Sequence, residues 1–287
     1  MKGKQHTLWL LAALAAPIAH YAGSGWLMSG LAALAVLPLT RIPKSWEGLT
    51  RGMAFVQILW LGLVAGLLLP GSAACWPSEQ DRAVPLTLLT LAALTKPNRT
   101  ARVGAVLAFC MALLAIPLAF SGASGVELRW LGPELMPWPV GLTLVLLLPN
   151  LPSAGEGEGS RGVLRITSLT LALSALIQGS ISLRVASASG SPIYETARTL
   201  GHLEPVTAAA LTLGWYALAS LILDSAARIA REGDIRMEVA YVLVWCTAAA
   251  FVLSGLQPNA WFITVLSLFW WVITPFFQKM KKLENSA

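Results

Sequence analysis

Charge is scarce in this chain. Asp, Glu, Lys and Arg together make up 12% of 287 residues, while 56% are hydrophobic. A soluble domain carries about twice that share of charge. So little charge excludes an ordinary water-soluble globule, and at this length ten helices with short connections would be expected to leave no room for a large domain outside a membrane. Cysteine is nearly absent too. Cys75, Cys110 and Cys246 are the only three, and none are spaced as metal ligands or as a disulfide framework. Cys75 is expected in a loop, and the other two as small apolar filler within membrane spans. No Gly-rich phosphate loop, H-E-x-x-H or G-x-S-x-G element occurs. No helix carries paired carboxylates for acid–base work, and no apolar stretch carries regularly spaced arginines. These absences argue against an enzyme, a cofactor or metal site and a voltage sensor. The chain is basic, with 20 Lys and Arg against 14 Asp and Glu. That balance could suggest nucleic acid, but the basic residues sit at the ends of apolar stretches, where headgroups and orientation account for them.

Long apolar runs are what the sequence has in quantity. Ten spans can be drawn: Thr7–Ala22, Trp26–Thr40, Gly52–Pro70, Val84–Thr95, Arg102–Phe120, Trp138–Asn150, Gly162–Val185, Glu204–Ile229, Met237–Leu256 and Ala260–Phe277. The first lacks a small-residue cleavage site and is expected to persist as a span rather than be removed as a signal. Crossing the hydrocarbon takes about 20 helical residues, so the fourth and sixth are expected to recruit flanking residues or to be broken and packed inside the bundle.

The basic residues fall into alternate gaps between these spans. One side takes Lys2 and Lys4; Arg41, Lys44 and Arg51; Lys96, Arg99 and Arg102; Arg161 and Arg165; Arg228, Arg231 and Arg236; and Lys279, Lys281 and Lys282. Only Arg82, Arg129, Arg184 and Arg198, four of the 20, fall on the other. Lys and Arg resist translocation, so the rich side is expected to be cytoplasmic and to hold both termini. The Asn98-Arg99-Thr100 sequon would then lie inside and stay unglycosylated. The stretch Pro152–Gly162 reads as a flexible connection near mid-chain, and Ala186–Leu203 as a short amphipathic helix on the outer surface.

Trp26, Trp46, Trp76, Trp130, Trp138, Trp261, Trp270 and Trp271 lie near span ends and suit interfacial anchoring. Trp60, Trp215 and Trp245 lie deeper. Polar groups at depth are costly and mark either sites or interhelical hydrogen bonds. His20 follows Pro17, which has no N–H to give the carbonyl of Ala13; this is either an ordinary kink or a broken-helix binding site with Ala16 and Pro17 at its floor. Gln57 and Gln178 are either helix-to-helix glue or ligand contacts. Glu204 precedes Pro205 and suits the start of a helix. Asp224 is either half of an i,i+4 pair with Arg228 or a coupling-ion carboxylate.

Two stretches sharpen the reading. Ala22-Gly23-Ser24-Gly25-Trp26-Leu27 resembles the Ala-Gly-rich turn of the endospore germination permeases, the B subunits of spore germinant receptors. Ser191-Pro192-Ile193-Tyr194-Glu195-Thr196-Ala197-Arg198, followed by Leu203-Glu204 and Trp215, is similar to that family's motif before its eighth span. Leu131-Gly132-Pro133 and Pro149 also fit. The chain departs from the family in lacking a glycine in Ala12–Pro17, in having His202 where arginine is usual, and in its short length.

The resemblance implies an all-α polytopic membrane protein of the amino acid–polyamine–organocation superfamily. It would have ten transmembrane helices in a leucine-transporter-like 5+5 inverted repeat, in one domain spanning 1–287, with repeats of about 1–125 and 126–287. It implies a spore inner-membrane subunit that senses a small nutrient such as an amino acid, beside A and C receptor subunits, and triggers germination. The expected pocket lies between spans 1, 3, 6 and 8, with Ala16, Pro17, His20, Gln57, Gln178 and Trp215 as ligand-binding candidates. Pro192, Tyr194, Glu195, Arg198 and Glu204 form the outer-loop motif. The alternatives are a secondary amino acid transporter of the same fold and a non-transporting structural subunit.

Overall fold

The computed structural model describes residues 12–24, 26–41, 50–76, 80–95, 101–108, 110, 137–151, 159–182, 194, 197, 203–256 and 258–271. For 19, 21–24, 26–29, 40, 41, 137, 138, 159–161 and 174–182 it gives the backbone alone. The described residues are almost all helical, with no strand among them. In chain order the helices are α1 (Ala15–Ser24), α2 (Trp26–Ala35), α3 (Arg51–Leu68), α4 (Ala83–Thr95), α5 (101–108), α6 (Pro137–Leu147), α7 (Gly159–Ser182), α8 (Glu204–Glu232), α9 (Met237–Ser254) and α10 (Ala260–Trp271).

Local chemistry places the ends. Thr50 caps α3 by accepting from the backbone N–H of Met53 at 3.3 Å, which satisfies one of the orphan donors of the first turn. Pro205 lies in the first turn of α8, where its missing N–H costs nothing. Gly255, at φ 71°, caps α9 in the left-handed region that glycine enters without penalty. Three prolines act alike. Pro38, Pro70 and Pro149 each lie in a 3-10 turn, at Leu37–Arg41, Leu69–Cys75 and Leu148–Asn150, that follows α2, α3 and α6. A proline cannot donate to the carbonyl four residues back, so the α-helix stops and the chain tightens. Cys75, expected in a loop, therefore ends a half-buried 3-10 turn.

Among the described residues, three helices are long and apolar enough to cross a membrane: Arg51–Cys75, Glu204–Glu232 and Met237–Ser254. Of their apolar windows 72% is buried for α8 but only 28% for α9, so α8 runs through the centre and α9 along the rim. Outward faces are apolar, with Leu94, Leu173, Val242, Leu256 and Val265 all more than half exposed. No charged residue is buried among the described ones. That pattern, apolar inside and out, fits hydrocarbon rather than water as the surrounding solvent.

The helices pair in two groups. α1 packs on α2, α6, α7 and α8, and α2 packs on α6 and α7. α3 packs on α8 and α9, and α4 packs on α8, α9 and the 3-10 extension of α3. Gly62 and Gly66 let α9 come close, since a Cβ on Gly62 would sit 2.6 Å from that of Thr247. Gly233, at the end of α8, lies against Ala54 at the start of α3. Arg51, Arg228, Arg231 and Arg236 thus share one end of the bundle. Arg82 lies beside Gly255 at the other.

Candidate binding junctions in the helix bundle

The first junction forms where α1, α5 and α8 meet the end of α3. The helical path is interrupted at Leu14, just before α1, a turn residue with helical residues on either side. Pro17 explains it: the Ala13 carbonyl has no N–H opposite, and regular pairing resumes with Ile18 donating to Leu14 at 2.9 Å. Ala16, at 1% exposure, then faces Gly214. A Cβ on Gly214 would lie 2.8 Å from that of Ala16 and 2.6 Å from that of Ala108. This close approach carries α1 past α8 and turns His20 onto Trp215, edge to face at 6.1 Å between ring centroids and 70° between planes. Gly71 floors the pair, its absent Cβ lying 2.8 Å from His20 Cδ2 and 3.0 Å from the Trp215 ring. The neighbouring Ser72 hydroxyl is buried and makes no hydrogen bond among the described residues.

The second junction lies where α3, α6 and α10 meet, toward the Arg51 end. Here polar side chains replace small ones. Gln57 Nε2 donates to the Asn150 carbonyl at 3.2 Å. Asn150 Nδ2 donates to the Ser267 carbonyl at 3.0 Å, and Trp60 Nε1 to Ser267 Oγ at 3.1 Å. Thr143 and Thr264 meet at 3.2 Å one turn away. Gln57, Trp60, Asn150 and Ser267 are fully buried.

The sequence candidates are therefore divided. Ala16, Pro17, His20 and Trp215 gather at the first junction. Gln57 belongs to the second; from Gln57 to Gly71 the chain climbs about 20 Å at 1.5 Å per residue. Gln178 lies on α7, but its side chain is outside the described residues, as are Pro192, Glu195 and Arg198. Of the outer-loop motif, Tyr194 and Glu204 come together, the phenol donating to Glu204 Oε1 at 2.6 Å. Asp224 takes the pairing option, accepting from Arg228 Nε at 2.9 Å with both side chains partly exposed.

The tryptophan assignments need correction. Trp76 and Trp261 are exposed, as anchors should be. Trp270 and Trp271 are core residues at 2% and 0% exposure, and the Trp271 indole donates to the Leu39 carbonyl at 3.2 Å. The helix presents them inward because Phe262, Val265 and Phe269 occupy its outer face. Trp245 sits on the rim, bonded to Thr90 at 3.0 Å. Cys110 and Cys246 are exposed on outward faces rather than filling the interior. Sequence reasoning missed Asn150 and Ser267. Asn150 had a signal, an amide directly after a helix-ending proline; Ser267 had none beyond its type.

Among the described residues, no cluster of His, Cys, Asp and Glu could hold a metal ion. Compared with known proteins, the chain matches no family model and no curated sequence.

Proposed function

We propose that this chain is a ten-span, permease-like membrane protein built as a 5+5 inverted repeat, which senses a small nutrient at the α1–α3–α8 junction as a germinant-receptor subunit. One observation supports the architecture above all: most of the helix contacts recur when every helix number is shifted by five, α8 on α9 being an exception. α1 on α7 becomes α6 on α2, and α3 on α9 becomes α8 on α4; both members of each couple occur. α1 on α8 becomes α6 on α3, which touch through the 3-10 turn that ends α6, where Gln57 meets the Asn150 carbonyl. α5 on α8, through Gly104 and Leu213, becomes α10 on α3, through Ser267 and Trp60. Spans that alternate in direction are reversed by a shift of five, so the halves would be related by an axis in the membrane plane.

The ligand site is assigned to the first junction because its helix is broken there and its aromatic pair has a glycine floor. Broken helices at such places leave backbone groups free for small polar solutes. The receptor role rests on the resemblance of Ala22–Leu27 and Ser191–Arg198. It carries with it A and C subunits as partners, the lipid bilayer as surroundings and the spore inner membrane as location. Sensing rather than transport is favoured by the Asp224–Arg228 pair, since the Asp224 carboxylate is already engaged by a neighbour.

The test is solute uptake into proteoliposomes, with and without a proton gradient, alongside nutrient-triggered germination of spores carrying His20→Ala. The expected results are no gradient-driven uptake and a shifted nutrient dose response. Robust uptake would convert the reading to the transporter. An unchanged dose response with normal assembly would remove the first junction as the site.

A further inference from the structure

The second junction holds an unbalanced set of oxygens. Four donors meet there, and each is directed at an oxygen: Trp60 Nε1 at Ser267 Oγ, Ser267 Oγ at the Ile263 carbonyl, Asn150 Nδ2 at the Ser267 carbonyl and Gln57 Nε2 at the Asn150 carbonyl. Gln57 Oε1, in a side chain with 0% exposure, has no donor opposite among the described residues. The amide cannot be turned over to relieve this, because its oxygen would then face the Asn150 carbonyl. The same amide lies at the C-terminal end of α6. Pro149 has no N–H for the Val145 carbonyl, and residues 144–148 are sealed from solvent. A helix C-terminus carries partial negative charge, and low surrounding dielectric strengthens its attraction for a cation.

We propose that this junction binds one monovalent metal cation, Na+ or K+, between Gln57 Oε1 and the terminal carbonyls of α6. The buried oxygens here are all neutral amides, carbonyls and hydroxyls. Divalent sites draw on carboxylates, whereas rings of uncharged carbonyls suit monovalent ions. The ion would tie the end of α6 to α3 and α10. The site is independent of the nutrient junction and does not rest on the receptor reading.

The test is thermal unfolding of the full chain in detergent with NaCl, KCl or choline chloride at equal ionic strength, with the part of the tryptophan emission that is lost in Trp60→Phe as a second readout. One of the two metal ions should raise the melting temperature saturably, by about 5 °C at a hundredfold excess over Kd, and comparing them identifies which. Gln57→Met should abolish the rise; Gln57→Glu, which adds a carboxylate, should lower the apparent Kd for the cation. Identical melting in all three salts would overturn the proposal and leave a buried water as the partner of Gln57. So would a full cation response in Gln57→Met. If Gln57→Met does not fold, the wild-type titration and Gln57→Glu still decide.

Discussion

The two junctions, which would be counterparts under the proposed repeat, are opposites in chemistry. At α1–α5–α8 the helices meet through Ala16, Ala108 and Gly214, with nothing larger than a methyl group between the backbones. At α3–α6–α10 they meet through Gln57, Asn150, Ser267 and the Trp60 indole. Small-residue contact is sensitive to added volume, because packed interiors accommodate an extra methyl poorly. Hydrogen-bonded contact is sensitive to a lost partner, because a buried polar atom then keeps its desolvation cost. One junction should therefore break by filling and the other by deletion. On the proposed function, this difference would suit a division of labour, with the nutrient held at the first junction and the helices held together at the second.

The largest effect is expected from filling. Gly214→Leu would drive a four-carbon side chain into Ala16 and Ala108, and we expect no folded, monodisperse protein by size-exclusion chromatography. Gly214→Ala should cost about 1–3 kcal/mol, with part of the loss recovered in Gly214→Ala/Ala108→Gly. A tolerated Gly214→Leu would mean that α1 and α8 are not held at this separation, and the comparison would lose its first half. Next comes His20→Ala. It leaves the Ala16–Gly214 contact intact, so folding should survive while the nutrient concentration for half-maximal germination rises about tenfold, equivalent to 1.4 kcal/mol of binding.

Deletion at the polar junction should have a smaller effect. A double-mutant cycle with Trp60→Phe and Ser267→Ala should return a coupling of about 0.6–1.7 kcal/mol, the range for interhelical hydrogen bonds in membranes. A coupling near zero, measured by thermal unfolding, would mean that the network is ornamental and that packing alone holds α10 to α3.

How much of this could be read in the chain depends on which forces were local. Helix starts and stops were legible, because caps and prolines act within four residues: Glu204, Met237 and Ala260 begin helices where the sequence indicates. The Pro17 interruption and the Asp224–Arg228 pair are also one-turn effects. Which face of a helix turns inward was less legible. In hydrocarbon both faces are apolar, so hydropathy carries little directional signal, and Trp270 and Trp271 were placed at the surface for that reason. Separating Gln57 from His20 needed the tertiary arrangement, since depth along α3 is set by where α6 and α8 cross it. Glycines that permit close approach, such as Gly62 and Gly214, become meaningful only once the partner helix is known.

The smallest expected effect concerns neither junction but tests whether a third site competes with them. Asp224 and Arg228 lie one turn apart on α8 with side chains 29% and 31% exposed. An i,i+4 pair in that setting contributes about 0–1 kcal/mol, so Asp224→Asn should melt within a few degrees of wild type. The same substitution separates the two functional readings. If Asp224 served as a coupling carboxylate, its neutralisation would abolish any gradient-driven process while sparing stability. If it serves only Arg228, Asp224→Asn should leave the nutrient response as it was and Arg228→Gln should behave alike. Matching phenotypes for the two variants would remove Asp224 as a coupling site and leave the nutrient reading with the first junction, where His20 and Trp215 lie.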